Sequence, residues 1–185
     1  MSKVTAALTS LAYNPGNGAL LDMLAPLIAA VDASSQPPFA GSLHAVFMGP
    51  PASPVKSLAQ CLGLVYSTLG LLPTAAVTRV SATDLHGSCI GQAACLVEEK
   101  LGQALGGVLL IEEAGRLLEG SSPYARDALE ALLGRLRSPQ YRGKLAVVLA
   151  GYEAQLLELL GGPNDTWPQL FQLRMSFPAQ VSIQG

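Results

Sequence analysis

Two adjacent carboxylates, Glu112 and Glu113, close the apolar run G-G-V-L-L-I-E-E-A at 106–114. A buried strand that ends in acids delivers them to one edge of a sheet. There the first acid can hold Mg2+ and the second can polarise water for attack on a phosphoryl group. The plainer reading of such a pair is two solvated acids at a strand end. A second candidate lies at 49–57, G-P-P-A-S-P-V-K-S, between the apolar run L-H-A-V-F-M and a helical stretch. A loop that cradles phosphate needs G-x-x-x-x-G-K-[ST], so that backbone N–H groups and a lysine converge on the anion. Gly49 is in place. Pro54 stands where the second glycine belongs, Val55 stands where the lysine belongs, and Lys56 and Ser57 arrive one residue late. Alone, this stretch reads as an ordinary strand–loop–helix turn.

Three further clusters carry weaker signals. G-S-C-I-G at 87–91 has the form of a nucleophile elbow with a thiol. That chemistry wants its histidine after the nucleophile, and both histidines, His44 and His86, precede Cys89. His86, Cys89 and Cys95 lack the C-x-x-C spacing of a metal site. Arg135, Arg137, Arg142 and Lys144 form a basic patch that reads more readily as a solvated helix end than as a phosphate site. Trp167 and Tyr152 read as core or interface residues rather than stacking platforms.

Positioning these residues requires alternating strands and helices. Apolar runs at 43–48, 75–80, 108–111 and 145–150 predict buried strands, with a short fifth at 174–177. Helices are expected at 19–31, 57–71, 95–105, 123–136 and 153–160. The helix at 123–136 is the most amphipathic, with Pro123 in its first turn and Arg135 and Arg137 near its end. Strands that are apolar on both faces and alternate with helices imply an α/β fold, a parallel sheet covered on both sides.

Composition sets outer limits. The chain has 185 residues, is 50% hydrophobic and 13% charged, and has a net charge of −2; its mean hydropathy is +0.38. Disorder is excluded by the apolar content, and a disulfide framework by three cysteines. The acidic balance argues against a nucleic-acid partner. Residues 57–78 are uncharged and long enough to span a bilayer, but their glycines, hydroxyls and Pro73 keep hydropathy moderate. No membrane span is expected, and the chain reads as intracellular, with a cytoplasmic location and reduced thiols. Charge is uneven: residues 1–97 carry six charged side chains and 98–174 carry eighteen.

Taken in order, S-L-H-A-V-F-M-G-P-P (42–51), D-L-H-G-S-C-I-G-Q (84–92), G-G-V-L-L-I-E-E-A (106–114), L-A-G-Y (149–152) and F-P (177–178) resemble the AAA+ ATPases of the CbbX and stage V sporulation protein K type. The resemblance implies a three-layer P-loop NTPase fold with a five-stranded parallel sheet. It divides the chain into an N-terminal helix and linker (1–41), an AAA+ large α/β subdomain (42–178) and a tail (179–185). Set against the family, the sequence is expected to lack the helical lid.

The same resemblance places nucleotide, ATP or ADP with Mg2+, against Gly49, Pro50, Pro51, Ala52, Ser53, Pro54, Val55, Lys56 and Ser57. It places Mg2+ at Ser57 and Glu112, the water-activating acid at Glu113, and a pore loop at Cys89, Ile90 and Gly91. The departures fall on these elements. Ala52 and Pro54 replace loop glycines and Val55 replaces the lysine. Pro168 and Leu170 replace the two arginines that act on a neighbouring subunit's nucleotide, with Arg174 nearby in a different register. Cys89 replaces the aromatic of the pore loop. The resemblance therefore implies a degenerate module, a pseudo-ATPase that serves as a structural or regulatory interaction domain. Its expected partners are proteins or neighbouring AAA+ subunits, and nucleotide binding is weakened. The alternative is a domain that still binds ATP, with residual or partner-dependent hydrolysis. The charge-poor half, 1–97, is expected to present apolar surface to a partner.

Overall fold

The structure, a computed structural model, describes residues 42–50, 53–89, 91–118, 123–161 and 166–177. The expected helix at 19–31, the linker before residue 42, Pro51, Ala52, Ile90 and the tail lie outside the described residues.

Five parallel strands form one sheet: β1 (Ala45–Met48), β2 (Val77–Ser81), β3 (Val108–Glu112), β4 (Ala146–Gly151) and β5 (Leu173–Ser176). Their order is β2-β3-β4-β1-β5. The three central strands are buried on both faces because alternate residues feed two separate cores. Val46, Leu109, Ile111, Val147 and Leu149 point to one core, and Ala45, Phe47, Leu110, Val148 and Ala150 to the other. This is why they read as unbroken apolar runs. The edge strands β2 and β5 are only partly buried.

Helix α1 (Val55–Thr68) covers the second core through Leu58, Cys61, Leu62, Val65 and Tyr66. It begins two residues before the expected start. It is poorly capped: Pro54 occupies the N-cap without a side-chain hydrogen bond, and neither end carries a charge that complements the helix dipole. Packing holds it instead. A Cβ at Gly63 would lie 2.9 Å from the Ala75 carbonyl oxygen, so only glycine lets α1 approach the strand connection this closely. The first core is closed by α2 (Gln92–Gln103), α3 (Pro123–Arg137), α4 (Glu153–Leu160) and the short α5 (Thr166–Leu170). Helix α2 starts three residues earlier than expected, behind Gly91 in a left-handed conformation, φ 82°. Helix α5 and two single-turn 3-10 segments, Ala82–Leu85 and Ala114–Leu118, were not anticipated from periodicity, being too short to show one.

Where charge is scarce, the structure shows burial rather than exposed apolar area. The large apolar side chains that stand exposed among the described residues are Leu105, Tyr152 and Leu157, all after residue 97. The expectation that residues 1–97 present an apolar surface is not met over the described part, 42–97, where Leu58, Leu62, Val65 and Tyr66 of α1 lie against the sheet; residues 1–41 lie outside the described residues. Among the described residues no helix is long and apolar enough to cross a membrane.

Candidate functional site

After β1 the chain passes to α1 on one face of the sheet, and after β4 to α4 on the other. Neighbouring parallel strands whose connections diverge in this way leave a crevice at their carboxyl ends. A cavity of about 550 Å3 lies there, bounded by Gly49, Pro50, Val55, Ser81, Glu112, Glu113, Arg116, Gly151, Tyr152 and Gln155. The structure thus brings together Gly49, Pro50, Val55, Glu112 and Glu113 of the expected site. Lys56 is exposed and Ser57 half-buried, and neither lines the cavity.

The loop's described backbone donors are occupied. The N–H of Gly49 donates to the Gly151 carbonyl at 2.9 Å, that of Ser53 to the Pro50 carbonyl at 2.9 Å, and that of Val55 to the Ser53 carbonyl at 2.8 Å. Pro50 and Pro54 have no N–H. So every described N–H from Gly49 to Val55 is already used inside the fold. A phosphate cradle depends on such groups being unpaired and convergent.

Both acids of the β3 terminus are held by arginines of this chain. Arg79 on β2 places Nη2 at 2.9 Å from both Glu112 oxygens. The β2–β3 register pairs Ser81 with Glu112, so Arg79 reaches it diagonally along the same face. Glu113 sits in the left-handed region at φ 55°, uncommon for a residue with a side chain. Its Oε2 lies 2.7 Å from Arg116 Nε, and its carbonyl accepts the Arg116 N–H at 2.9 Å. These pairs are partly exposed, Arg79 at 46% and Glu113 at 58%, so each contributes no more than about 1 kcal/mol. What they change is availability. The residues do not fit a divalent cation as they stand, because Glu112 is held by a guanidinium; among the described residues no lysine lines the crevice. Among the described residues no group of three His, Cys, Asp or Glu side chains could hold a metal ion.

Sequence reasoning missed Arg79, Arg116, Ser81 and Gln155. Arg116 carries a local signal, three residues after Glu113. Arg79 and Ser81 become neighbours of Glu112 only through strand register.

The remaining expected residues lie elsewhere. Cys89 is exposed beside the start of α2, with Sγ 3.5 Å from Gln92 Oε1, and Gly91 is that helix's N-cap. Neither lines the crevice. Pro168 and Leu170 sit in α5. Trp167 is buried and stacked on Phe171, centroids 5.4 Å apart, which makes it a core residue. Arg174 donates from Nε to the Phe171 carbonyl at 3.4 Å. The basic patch divides: Arg135 Nε is 2.7 Å from Glu98 Oε2 on α2, whereas Arg137, Arg142 and Lys144 have no carboxylate within ion-pair distance among the described residues.

No family model matches the sequence. The chain is 31% identical over 140 residues to the ESX-1 secretion system protein EccA1 of Mycobacterium tuberculosis, a stretch covering 74% of this chain and 24% of that protein. It is 32% identical over 141 residues to the ESX-3 secretion system protein EccA3 of Mycobacterium leprae, covering 75% of this chain and 22% of that one. The chain thus spans about a quarter of the length of these relatives. Among solved structures, the FIGL-1 AAA domain in complex with ADP superposes with a TM-score of 0.53 at 19% identity, covering 87% of this chain and 52% of that one. The fold is therefore that of an AAA domain, α/β in three layers around a five-stranded parallel sheet.

Proposed function

We propose that this chain is a degenerate AAA+ module of the CbbX and stage V sporulation protein K type, a pseudo-ATPase acting as a structural or regulatory interaction domain within a larger protein or assembly. The observation that carries this reading is the state of the loop after β1: its described N–H groups are spent on the fold itself, and Val55 faces the crevice where a lysine would neutralise phosphate. The arginine pairing of Glu112 and Glu113 supports it further. Similarity to secretion-system proteins over a quarter of their length supports a role as one part of a larger protein with protein partners.

Purified chain should show no Mg2+-dependent ATP turnover above that of its Glu113→Gln variant. Saturable hydrolysis that disappears in Glu113→Gln would overturn the reading. A second reading, retained nucleotide binding with slow or partner-dependent hydrolysis, draws on one observation: a cavity of about 550 Å3 persists at the carboxyl edge of the sheet. Isothermal titration with ATP and ADP separates the two. Absence of heat at millimolar nucleotide with Mg2+ removes the second, and a Kd in the micromolar range favours it.

A further inference from the structure

A second cavity, of about 430 Å3, opens at the opposite edge of the sheet. Its walls come from the segment before β1, the end of α3 with the turn that follows, and α5. In a parallel sheet the residues preceding β1 and β4 lie at the amino edge, so this cavity and the crevice above face away from each other. Among the described residues two charged side chains line it, Arg137 and Arg142, and no acid does. The arginines at 79, 116, 126 and 135 each have a carboxylate within 3.3 Å, and Arg137 and Arg142 have none among the described residues. Lys56, Lys144 and Arg174 also lack a carboxylate within ion-pair distance among the described residues, so what sets Arg137 and Arg142 apart is that both line one cavity.

Helix-dipole compensation accounts for only part of this arrangement. Arg137 sits in the last turn of α3, where a cation is favoured. Arg142 lies beyond the helix, and neither residue needs a cavity to serve the dipole. Thr166 and Gln169 add neutral hydrogen-bonding groups, and Leu136 and Leu170 add apolar wall. The turn between the two arginines and β4 carries Gly143 at φ 72°, with open space where a Cβ would stand.

We propose that this amino-edge cavity binds a small phosphomonoester, its phosphate held between Arg137 and Arg142 and its organic body against Leu136 and Leu170. Two planar guanidinium groups match phosphate oxygens in geometry. A phosphomonoester near neutral pH carries about −1.5 to −2, which balances two unpaired cations. The cavity volume falls in the range of small-ligand sites, roughly 300–1,000 Å3. The site shares no residue with the crevice at the carboxyl edge.

The test is isothermal titration of the full chain at constant ionic strength with phenyl phosphate, inorganic phosphate and benzoate. Phenyl phosphate should bind with 1:1 stoichiometry, at least about tenfold more tightly than benzoate and more tightly than inorganic phosphate. Arg137→Gln and Arg142→Gln should each weaken it by about tenfold or more, the loss expected when a charged hydrogen bond is removed. Arg116→Gln, in the other crevice, should leave it unchanged. Both cavity arginines are exposed, so the variants should keep the wild-type Tm in chloride buffer. Equal binding by wild type and both variants, equal affinity for benzoate, no binding of phenyl phosphate, or loss of binding in Arg116→Gln would each overturn the proposal.

Discussion

At the carboxyl edge of the sheet, Glu112 and Glu113 each take an arginine from the same chain, and the described N–H groups of the loop before α1 donate to carbonyls of the loop and of Gly151. At the amino edge, Arg137 and Arg142 line a cavity with no acid among its described residues, beside a buried, uncharged histidine. The two acids at the carboxyl edge are paired with arginines, and the two arginines lining the amino-edge cavity have no carboxylate partner among the described residues. Unpaired groups, rather than the mere presence of charged residues, mark where a molecule has interaction energy left to give a ligand.

The largest effect should come from beneath the amino edge. His44 Nδ1 accepts the Val147 N–H at 3.0 Å, tying the segment before β1 to β4. Burial lowers its pKa to about 4. The folded state holds the ring neutral while the unfolded chain protonates it near pH 6.5. Stability from this group is therefore fully present above about 6.5 and is lost as pH falls toward 4. The loss should approach about 3 kcal/mol, read as the difference in urea midpoints between wild type and His44→Asn at pH 7 and pH 4.5. Equal pH dependence in the two proteins would show that the amino edge does not depend on a neutral His44.

A smaller effect is expected where α2 and α3 are joined. Tyr141 Oη donates to Glu98 Oε1 at 2.7 Å, and Arg135 holds the other oxygen. Burial and the bond to Glu98 push the Tyr141 phenol up, so it stays a donor through the neutral range. Tyr141→Phe should cost about 1–2 kcal/mol, measured by chemical denaturation. Gly63→Ala should cost a comparable 1–3 kcal/mol through the contact with the Ala75 carbonyl.

The smallest effect belongs to the carboxyl edge. Arg79→Ala should change stability by less than about 1 kcal/mol, and roughly 1 M salt should erase most of the difference. A loss several times larger would mean that the crevice is braced by its arginine pairs, and would weaken the contrast between the two edges.

The sheet was legible because β1, β3 and β4 are buried on both faces and leave unbroken apolar runs. Pro54 and Val55 stand out in the sequence as departures from a phosphate-loop pattern. The Arg79 fork was not legible, because residues 33 apart in sequence meet only through the β2–β3 register. Nor was the early start of α1, since packing rather than capping sets it. The amino-edge cavity was hidden for a similar reason. Four basic residues near 135–144 look alike in sequence, and only the fold assigns Arg135 to Glu98 and turns Arg137 and Arg142 toward open space.

The loop after β1 has a consequence for the unfolded chain. Prolines at 50, 51 and 54 restrict φ before folding begins, so less conformational entropy is surrendered when the turn closes. Substituting glycine for Pro54 should therefore register as a lower Tm, with little change in nucleotide affinity, because the segment's restraint serves the persistence of the fold.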